Sequence, residues 1–351
     1  MKTEIIKVDI NVPGWDKQLD YAAGVLKSGG LVAFPTETVY GLGANALDEK
    51  AVAGIFSAKG RPSDNPLIVH IADRKELEDL TAFVPGCAGP LISAFWPGPL
   101  TLIMPKAASV SDIITAGLDT VAVRMPSHPV ALELIKKAGV PVAAPSANVS
   151  GRPSPTLASH VIEDLDGRVD VILDGGKVEV GLESTVLDIT QAAPMILRPG
   201  GVTFEQLVGL LGDVSFDPSL LPGGRLDAPP KAPGMKYRHY APKAKVVIIQ
   251  GSFESVVAKI NDLARQNEES GIKTGILATD ESLALYRAGR AISMGSRKSP
   301  ATIAANLFES LRFFDTTDIQ IIIAEAIDGD GIGMAVMNRL KKAAGHDIIK
   351  V

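Results

Sequence analysis

Basic and hydroxyl-bearing side chains recur in short loops framed by proline or glycine, and their types favour phosphate chemistry. In KGRPSDNPL, Lys59 and Arg61 stand two residues apart, beside a proline that stiffens the backbone. Arginine offers a planar fork of donors and lysine a point charge, so the pair suits a triphosphate. A solvated basic loop at the end of a helix would look the same, and KGRPSDNPL alone does not separate the two interpretations.

Similar polar loops follow other apolar runs of the chain. They are PTET (35–38), DTVAVR (119–124), APSANVSG (144–151), GLEST (181–185) and LRPGG (197–201). Arg124 lies within an apolar run and therefore needs a buried anion, either a ligand carboxylate or an internal acid. His70, Ser146 and Ser184 each have a plainer role in packing, capping or turn formation. Because the chain has no GxSxG, HExxH or Walker A sequence, the loops together indicate a pocket that positions and neutralises phosphates.

Two glycine-rich stretches resemble nucleotide motifs only loosely. The stretch from Gly41 to Ala46 fits a GxGxxA dinucleotide fingerprint, but PTETVY separates it from the preceding strand. An NAD-binding domain is therefore a weak alternative. DGDGIG at 328–333 precedes a helical pattern and favours a tight turn over an anion cradle.

The elements that must position these loops alternate between strand-like and helical patterns over residues 1–212. Short strands are predicted at 31–34, 67–70, 100–104, 121–125, 142–144, 169–173, 184–189 and 195–197. Helices are predicted at 15–27, 48–58, 130–138, 155–165 and 202–211. This pattern predicts an α/β domain with a twisted mixed sheet and flanking helices.

A second pattern begins at residue 245, after a stretch rich in proline and glycine. Residues 213–244 are predicted to be a linker, and residues 245–351 a small Rossmann-like parallel α/β domain. A length of 351 residues also favours two domains. Net charge is −5, a single cysteine is present, and neither a signal-peptide core nor a membrane-length apolar run is visible. A cytoplasmic protein with no membrane partner is expected.

Seven motifs occur in order: FPTETVYGLGANA, KGRPSDNPL, WPGPLTLI, VAVRMPSHP, APSANVSGRPSPT, GLESTVLDI and ILRPGGV. Together with APGMKYRHYAPK in the linker, they resemble the threonylcarbamoyl-AMP synthase family, which has a YrdC-like fold, in its long two-domain form. The resemblance implies a nucleotidyltransferase that makes L-threonylcarbamoyladenylate and pyrophosphate from L-threonine, bicarbonate and ATP. ATP is then a substrate, with Mg²⁺ carried by the nucleotide. Because the five histidines are scattered and the chain has one cysteine, no metal site on the protein is expected.

The product would pass to the tRNA threonylcarbamoyl-transferase machinery, which modifies an adenosine next to the anticodon. Direct binding of tRNA by this chain is expected to be weak at most. One alternative is an RNA-binding module that uses a basic face of the same fold, which the net negative charge disfavours. Another is the carbamoyl-transferase relative of hydrogenase maturation, which would need zinc-finger cysteines that this chain lacks.

The resemblance assigns site residues position by position. The family's threonine-binding positions match Thr38, His70, Arg124, Ala144 and Ser184. Its ATP-binding positions match Lys59, Arg61, Asn65, Thr120, Ser146, Ser154, Arg198 and Tyr240. Lys59 and Arg61 would be the catalytic groups, because they would offset charge that grows on the phosphates, and Arg124 would hold the threonine carboxylate. Residues 232–243, with two tyrosines and no acid, are predicted to form a lid over bound ATP.

Overall fold

The computed structural model describes residues 2–221, 231 and 239–351. These residues fall into two compact units, the first made of residues 1–150 and 154–236 and the second of residues 151–153 and 237–351. Most of the predicted lid, residues 232–238, lies outside the described residues, so the lid stays a prediction. The predicted domain boundaries also stay predictions.

The first unit contains a mixed sheet of eleven strands within the described residues. The strands are β1 (Glu4–Lys7), β2 (Val32–Pro35), β3 (Tyr40–Asn45), β4 (Ile68–His70), β5 (Leu100–Pro105), β6 (Thr120–Arg124), β7 (Val142–Ala143), β8 (Val171–Asp174), β9 (Thr185–Asp188), β10 (Met195–Arg198) and β11 (Ser215–Phe216). Their spatial order is β1-β8-β2-β3-β7-β4-β6-β5-β9-β10-β11. The sheet is mixed, because it contains parallel pairs such as β4 with β6 and antiparallel pairs such as β2 with β3.

Helices flank this sheet. They are α1 (Asp20–Lys27), α2 (Glu49–Lys59), α3 (Leu77–Leu80), α4 (Ala88–Phe95), α5 (Asp112–Thr115), α6 (Pro129–Ala138), α7 (Ala158–Leu165) and α8 (Phe204–Leu211), with 3-10 turns at Trp15–Leu19, Arg74–Glu76 and Pro218–Leu220. Along β2, Ala33 belongs to one buried cluster, and its neighbours Val32 and Phe34 belong to another. Because successive side chains of a strand point to opposite faces, the two clusters are the cores on the two faces of the sheet.

Capping residues fix both ends of α2, the helix that ends at Lys59. Asp48 accepts hydrogen bonds from the backbone N–H groups of Lys50 and Ala51, which would otherwise lack helical partners. Gly60, with φ of 60°, ends the helix in the left-handed conformation that glycine adopts without strain. The loop that begins at Arg61 therefore starts at a defined point.

Close packing explains Gly43 of β3, a strand that sequence analysis did not predict. A Cβ at Gly43 would lie 2.7 Å from Phe34 Cε1 and 2.8 Å from Val142 Cγ1, so no larger residue fits there. Gly41 and Gly43 lie inside a strand that pairs antiparallel with β2. The dinucleotide fingerprint requires a turn into a helix, so the NAD-binding interpretation is wrong.

The second unit contains a parallel sheet of five strands among its described residues. Its elements are β12 (Lys245–Gln250), α9 (Phe253–Glu269), β13 (Thr274–Ala278), β14 (Arg290–Ser293), α10 (Pro300–Asp315), β15 (Ile321–Glu325), α11 (Ile332–Ala343) and β16 (Ile348–Lys350), with a 3-10 turn at Leu283–Leu285. The order is β14-β13-β15-β12-β16, and every neighbouring pair is parallel. The predicted fold class, a mixed sheet followed by a parallel α/β domain, is confirmed.

No helix in the described part of the chain is long and apolar enough to span a bilayer.

Candidate active site

The ends of β4 and β6 bring His70 and Arg124 together in the first unit. The two strands are parallel and in register at these two residues, so both side chains lie at the carboxyl edge of the sheet. The Arg124 side chain is buried. Its Nη1 donates to Thr38 Oγ1 at 2.9 Å, and its Nε donates to the carbonyl of Gly98 at 3.3 Å. Three of the residues predicted to bind threonine are therefore neighbours.

Glu37 is the internal acid that pairs with Arg124. Its Oε1 lies 2.7 Å from Arg124 Nη2, and the whole residue is 5% exposed. Glu37 Oε1 is therefore engaged in an ion pair, whereas Oε2 has no hydrogen-bond partner in the described part of the chain.

Sequence analysis did not select Glu37 as a functional residue, although the signal for it was present. A buried arginine in an apolar strand requires an anion, and PTET carries an acid one residue before Thr38. The pattern alone did not decide between an internal acid and a ligand carboxylate. The structure supplies the internal acid and leaves the role of Arg124 towards a ligand as a prediction.

Hydrogen bonds within the PTET loop and to the loop before β9 hold it beside this pair. Thr36 Oγ1 donates to the carbonyl of Val39 at 2.6 Å and lies 2.8 Å from Thr38 Oγ1. The Val180 N–H donates to the Glu37 carbonyl at 2.8 Å, which links PTET to the loop before β9. Ala144, another predicted threonine contact, is fixed at the end of β7 by its N–H bond to the Ile68 carbonyl at 2.9 Å.

His70 is buried beside the Arg124 guanidinium and is therefore held neutral. Burial, followed by the neighbouring positive charge of Arg124, lowers the pKa of His70 to about 3. Backbone groups of Ile68 and Val142 lie within hydrogen-bonding reach of the ring. A neutral imidazole can contact a hydroxyl group of a ligand without adding charge to the site.

We expect the His70 shift to make stability pH-dependent. Between about pH 3 and pH 6.5, the His70 imidazole is neutral in the folded protein but protonated in the unfolded chain. Unfolding in this range therefore takes up one proton. The free energy of unfolding should therefore fall by up to about 1.4 kcal/mol per pH unit between these limits. Urea titrations of wild type and of His70→Asn, which does not titrate, should diverge as the pH falls from 7 to 4. Parallel curves would contradict a neutral, buried His70.

A second group joins Ser184 to Arg198 next to β5. Arg198 Nε and Nη2 donate to the Ser184 carbonyl at 3.1 and 3.0 Å, and Ser184 Oγ lies 2.8 Å from Thr101 Oγ1. Nearby in sequence, Glu183 accepts a short hydrogen bond from Ser154 Oγ. The resemblance assigns Ser184 to threonine and Arg198 with Ser154 to ATP. The structure places Arg198 against Ser184, and Ser154 against Glu183, the residue before Ser184. Glu183 and Thr101 were not predicted.

Lys59 anchors the APSANVSG loop. Its buried Nζ donates to the carbonyls of Ser146 and, at 2.6 Å, Asn148. The Lys59 carbonyl in turn accepts the N–H of Ser150 at 2.9 Å. The same loop is attached to β3, because the N–H of Ala147 donates to the Tyr40 carbonyl at 2.8 Å. The predicted ATP contact Ser146 is therefore placed by Lys59, and direct contact of Lys59 with phosphate stays a prediction.

Arg61 closes the loop that follows α2. Its Nη2 donates to the carbonyls of Asn65 and Pro66 at 3.2 and 3.1 Å. Asn65 is almost fully buried, and its Oδ1 has no hydrogen-bond partner among the described residues. Thr120 lies at the start of β6, at the end of the strand opposite Arg124. The structure thus brings Arg61 and Asn65 together and leaves Thr120 at the other end of its strand.

Tyr240 belongs to the second unit, unlike the other predicted ATP contacts. It has a φ of 64° and is 5% exposed. Its ring lies 5.1 Å from that of Phe308 and 5.6 Å from the guanidinium of Arg339. These contacts fix Tyr240 within its own unit, and its role towards ATP stays a prediction.

Trp96 precedes by two residues Gly98, whose carbonyl accepts a hydrogen bond from Arg124. It is 3% exposed, and its Nε1 donates to the Leu100 carbonyl at 2.7 Å. The chain continues through Gly98, whose carbonyl accepts from Arg124 Nε and whose N–H donates to the Met125 carbonyl at 2.8 Å. The indole therefore supports the backbone that contacts the guanidinium.

The side chains of this site are mainly cationic, hydroxyl and amide groups, together with the Glu37–Arg124 ion pair. Within residues 2–221, 231 and 239–351, no group of three or more histidine, cysteine, aspartate or glutamate side chains could hold a metal ion. Such an arrangement can bind a zwitterion and a polyanion side by side, because it offers both a paired arginine and separate basic loops.

Comparisons with known proteins agree over both units. A family model described as "Telomere recombination" matches residues 24–200. A second model, described as "Threonylcarbamoyl-AMP synthase, C-terminal domain", matches residues 202–345. Together these two models span nearly the whole chain.

Full-length relatives carry the same name. The threonylcarbamoyl-AMP synthase of Pyrococcus abyssi is 50% identical, covering 99% of this chain and 100% of the relative. That of Bacillus subtilis is 49% identical, with 100% of both chains covered. The crystal structure of P. abyssi Sua5 complexed with L-threonine matches with a TM-score of 0.94 at 49% identity, covering 99% of this chain and 100% of that chain. The chain therefore belongs to the Sua5 family of threonylcarbamoyl-AMP synthases.

Proposed function

We propose that this chain makes L-threonylcarbamoyladenylate from L-threonine, bicarbonate and ATP, releasing pyrophosphate. The observation that supports it most is the buried Arg124, with Thr38 and His70 beside it, in a chain similar throughout to a protein crystallised with L-threonine. A guanidinium in a dry site binds a carboxylate strongly, and the adjacent hydroxyl and neutral imidazole suit a hydroxyl-bearing side chain.

The chemistry requires positioning more than covalent catalysis. The threonine amine and bicarbonate form a carbamate, whose oxygen attacks the α-phosphorus of ATP while pyrophosphate leaves. The chain would hold the amino acid at Arg124 and the triphosphate near Arg61 and the Ser146 loop. Shielding from water matters because a carbamate is short-lived.

Mg²⁺ would arrive bound to ATP. The phosphate-side residues Lys59, Arg61, Asn65 and Ser146 supply cations and neutral donors, so its coordination would come mainly from phosphate oxygens and water. When bound, the ion would neutralise part of the charge on the leaving pyrophosphate. The product would serve tRNA modification next to the anticodon, after transfer to a separate tRNA threonylcarbamoyl-transferase machinery.

Omitting each substrate in turn tests the proposal. Pyrophosphate release should require threonine, bicarbonate and ATP together, and mass spectrometry should detect the mixed adenylate. Release that continues without threonine would contradict the proposed reaction. An RNA-binding module, the alternative, would instead bind tRNA tightly without ATP and lose affinity steeply with salt.

A further inference from the structure

The carboxylate of Glu37 has one oxygen, Oε2, that no described residue contacts with a donor. The residue is 5% exposed, and its Oε1 touches the Arg124 guanidinium at 2.7 Å. A buried carboxylate with unfilled acceptor sites is costly, so a donor in the working state would recover that cost.

A buried acid of the second unit shows what a purely structural arrangement looks like. Glu325 is also fully buried and also pairs with an arginine, with Arg297 Nη2 at 2.7 Å from Oε2. Its oxygens are filled as well, because they accept hydrogen bonds from Thr279, Ser282 and Tyr286. Among the described residues, no hydroxyl group donates to Glu37 as three do to Glu325, and this difference points towards a ligand.

The arrangement of charges matches an α-amino acid. A guanidinium and a carboxylate side by side present one positive and one negative group, and an amino acid carries a carboxylate and an ammonium on the same carbon. If Arg124 takes the substrate carboxylate, the ammonium comes next to Glu37, where it can offer N–H donors to the unused oxygen.

We propose that Glu37 binds the α-ammonium of the amino-acid substrate and accepts a proton from it. This inference rests on the proposed function, because it assigns the group that prepares the amine for carbamate formation. Glu37 is then a catalytic residue, since it touches the reacting nitrogen.

The proton balance is as follows: the Glu37 carboxylate takes one proton from the ammonium and becomes a carboxylic acid, leaving a neutral amine. The amine lone pair forms the N–C bond to bicarbonate while the C–OH bond breaks. The second amine proton joins the departing hydroxide as water, and the carbamate keeps one N–H. Glu37 returns its proton to solvent when the site empties.

The charged and titratable groups around Glu37 allow this transfer. Arg124 on β6 supplies the neighbouring cation, and a substrate carboxylate bound there would offset that charge and favour proton transfer to Glu37. His70 on β4 is neutral. His128, which caps α6, has its pKa lowered by burial, while the charges of Glu37 and Glu179 act in the opposite direction. His128 is therefore the competing proton acceptor that the test must separate.

A deaminated substrate analogue separates ammonium recognition from a positioning role. Titration calorimetry would use wild type and Glu37→Gln with L-threonine and with 2,3-dihydroxybutanoate, which has a hydroxyl in place of the ammonium. Glu37→Gln should lose about 30-fold in affinity for threonine and little for the analogue. Equal losses for both ligands would mean that Glu37 only orients Arg124, and would overturn the proposal.

The pH profile tests proton transfer itself. Pyrophosphate release by Glu37→Gln at saturating threonine should rise with pH more steeply than that of wild type, because the amine must then lose its proton in solution. Parallel profiles, or a steeper profile in His128→Asn alone, would overturn the role of Glu37.

Two further variants control for folding. Glu325→Gln makes the same substitution in a buried Glu–Arg pair and should keep both the threonine affinity and the pH profile of wild type. Glu37→Asp keeps a carboxylate, so it should bind threonine more weakly yet retain the wild-type pH profile, and a profile like that of Glu37→Gln would contradict the proposal. Failure of wild type to require threonine would count against the proposed function, independently of Glu37.

Discussion

Replacing Arg124 by alanine should raise the Michaelis constant for L-threonine by about two to three orders of magnitude and change that for ATP little. The side chain is buried, so its ion pair with a substrate carboxylate would form with little screening by water. Steady-state pyrophosphate release, with each substrate varied in turn, measures both constants. Equal changes in the two constants would remove Arg124 from the carboxylate.

The same variant should be less stable, because it leaves Glu37 buried without a counter-ion. Breaking a buried pair by removing one partner costs about 3–5 kcal/mol of the free energy of unfolding. The double variant Arg124→Ala with Glu37→Gln removes the stranded charge, so it should recover much of that stability and none of the activity. A double variant no more stable than Arg124→Ala would show that the ion pair is not the source of the loss.

Replacing Lys59 by methionine should lower turnover by about 100-fold and also weaken the ligand-free protein. Methionine has nearly the same length but cannot donate to the carbonyls of Ser146 and Asn148. Two buried acceptors would lose a charged donor, so unfolding without ATP should become easier by about 2–4 kcal/mol. Urea unfolding and single-turnover kinetics measure the two effects separately.

Arg61→Ala is the matched comparison from the same loop. Arg61 is partly exposed and donates to the carbonyls of Asn65 and Pro66 in its own loop. Its loss should cost about 2–4 kcal/mol of transition-state stabilisation and little ligand-free stability. If Lys59→Met left ligand-free stability unchanged, Lys59 would be a phosphate ligand alone, and its anchoring of the Ser146 loop would be unimportant.

Each of the eight strands predicted over residues 1–212 corresponds to a strand of the structure. The strands predicted at 100–104 and 121–125 correspond to β5 and β6, with ends that differ by one residue. Both are buried on both faces, so their sequences are continuous apolar runs that are easy to recognise. β3 was missed because glycine has low strand propensity. Gly43 is required by the close approach of Phe34, a neighbour that only the folded sheet reveals. The short helices α3 and α5 have only four residues each, too few for a helical period to show.

The sequence predicted which loops form the site, but not which side chains contact each other within it. The resemblance selected Thr38, His70 and Arg124, which the structure brings together at the edge of β4 and β6. Glu37 and Glu183 escaped because their partners are distant in sequence: Glu37 meets Arg124 only through the sheet, and Glu183 meets Ser154 only through loop packing. Periodicity and spacing contain no information on such contacts.

The buried Trp96 is an intrinsic fluorescence probe close to the candidate active site. The chain has two tryptophans, and Trp96 is connected through the backbone of Gly98 to the guanidinium that should hold the amino acid. A change in charge at Arg124 would alter the electric field at that indole, and with it the colour of its emission. Substrate binding could then be followed in real time in the unlabelled protein, with Trp15 replaced by phenylalanine to silence the other emitter.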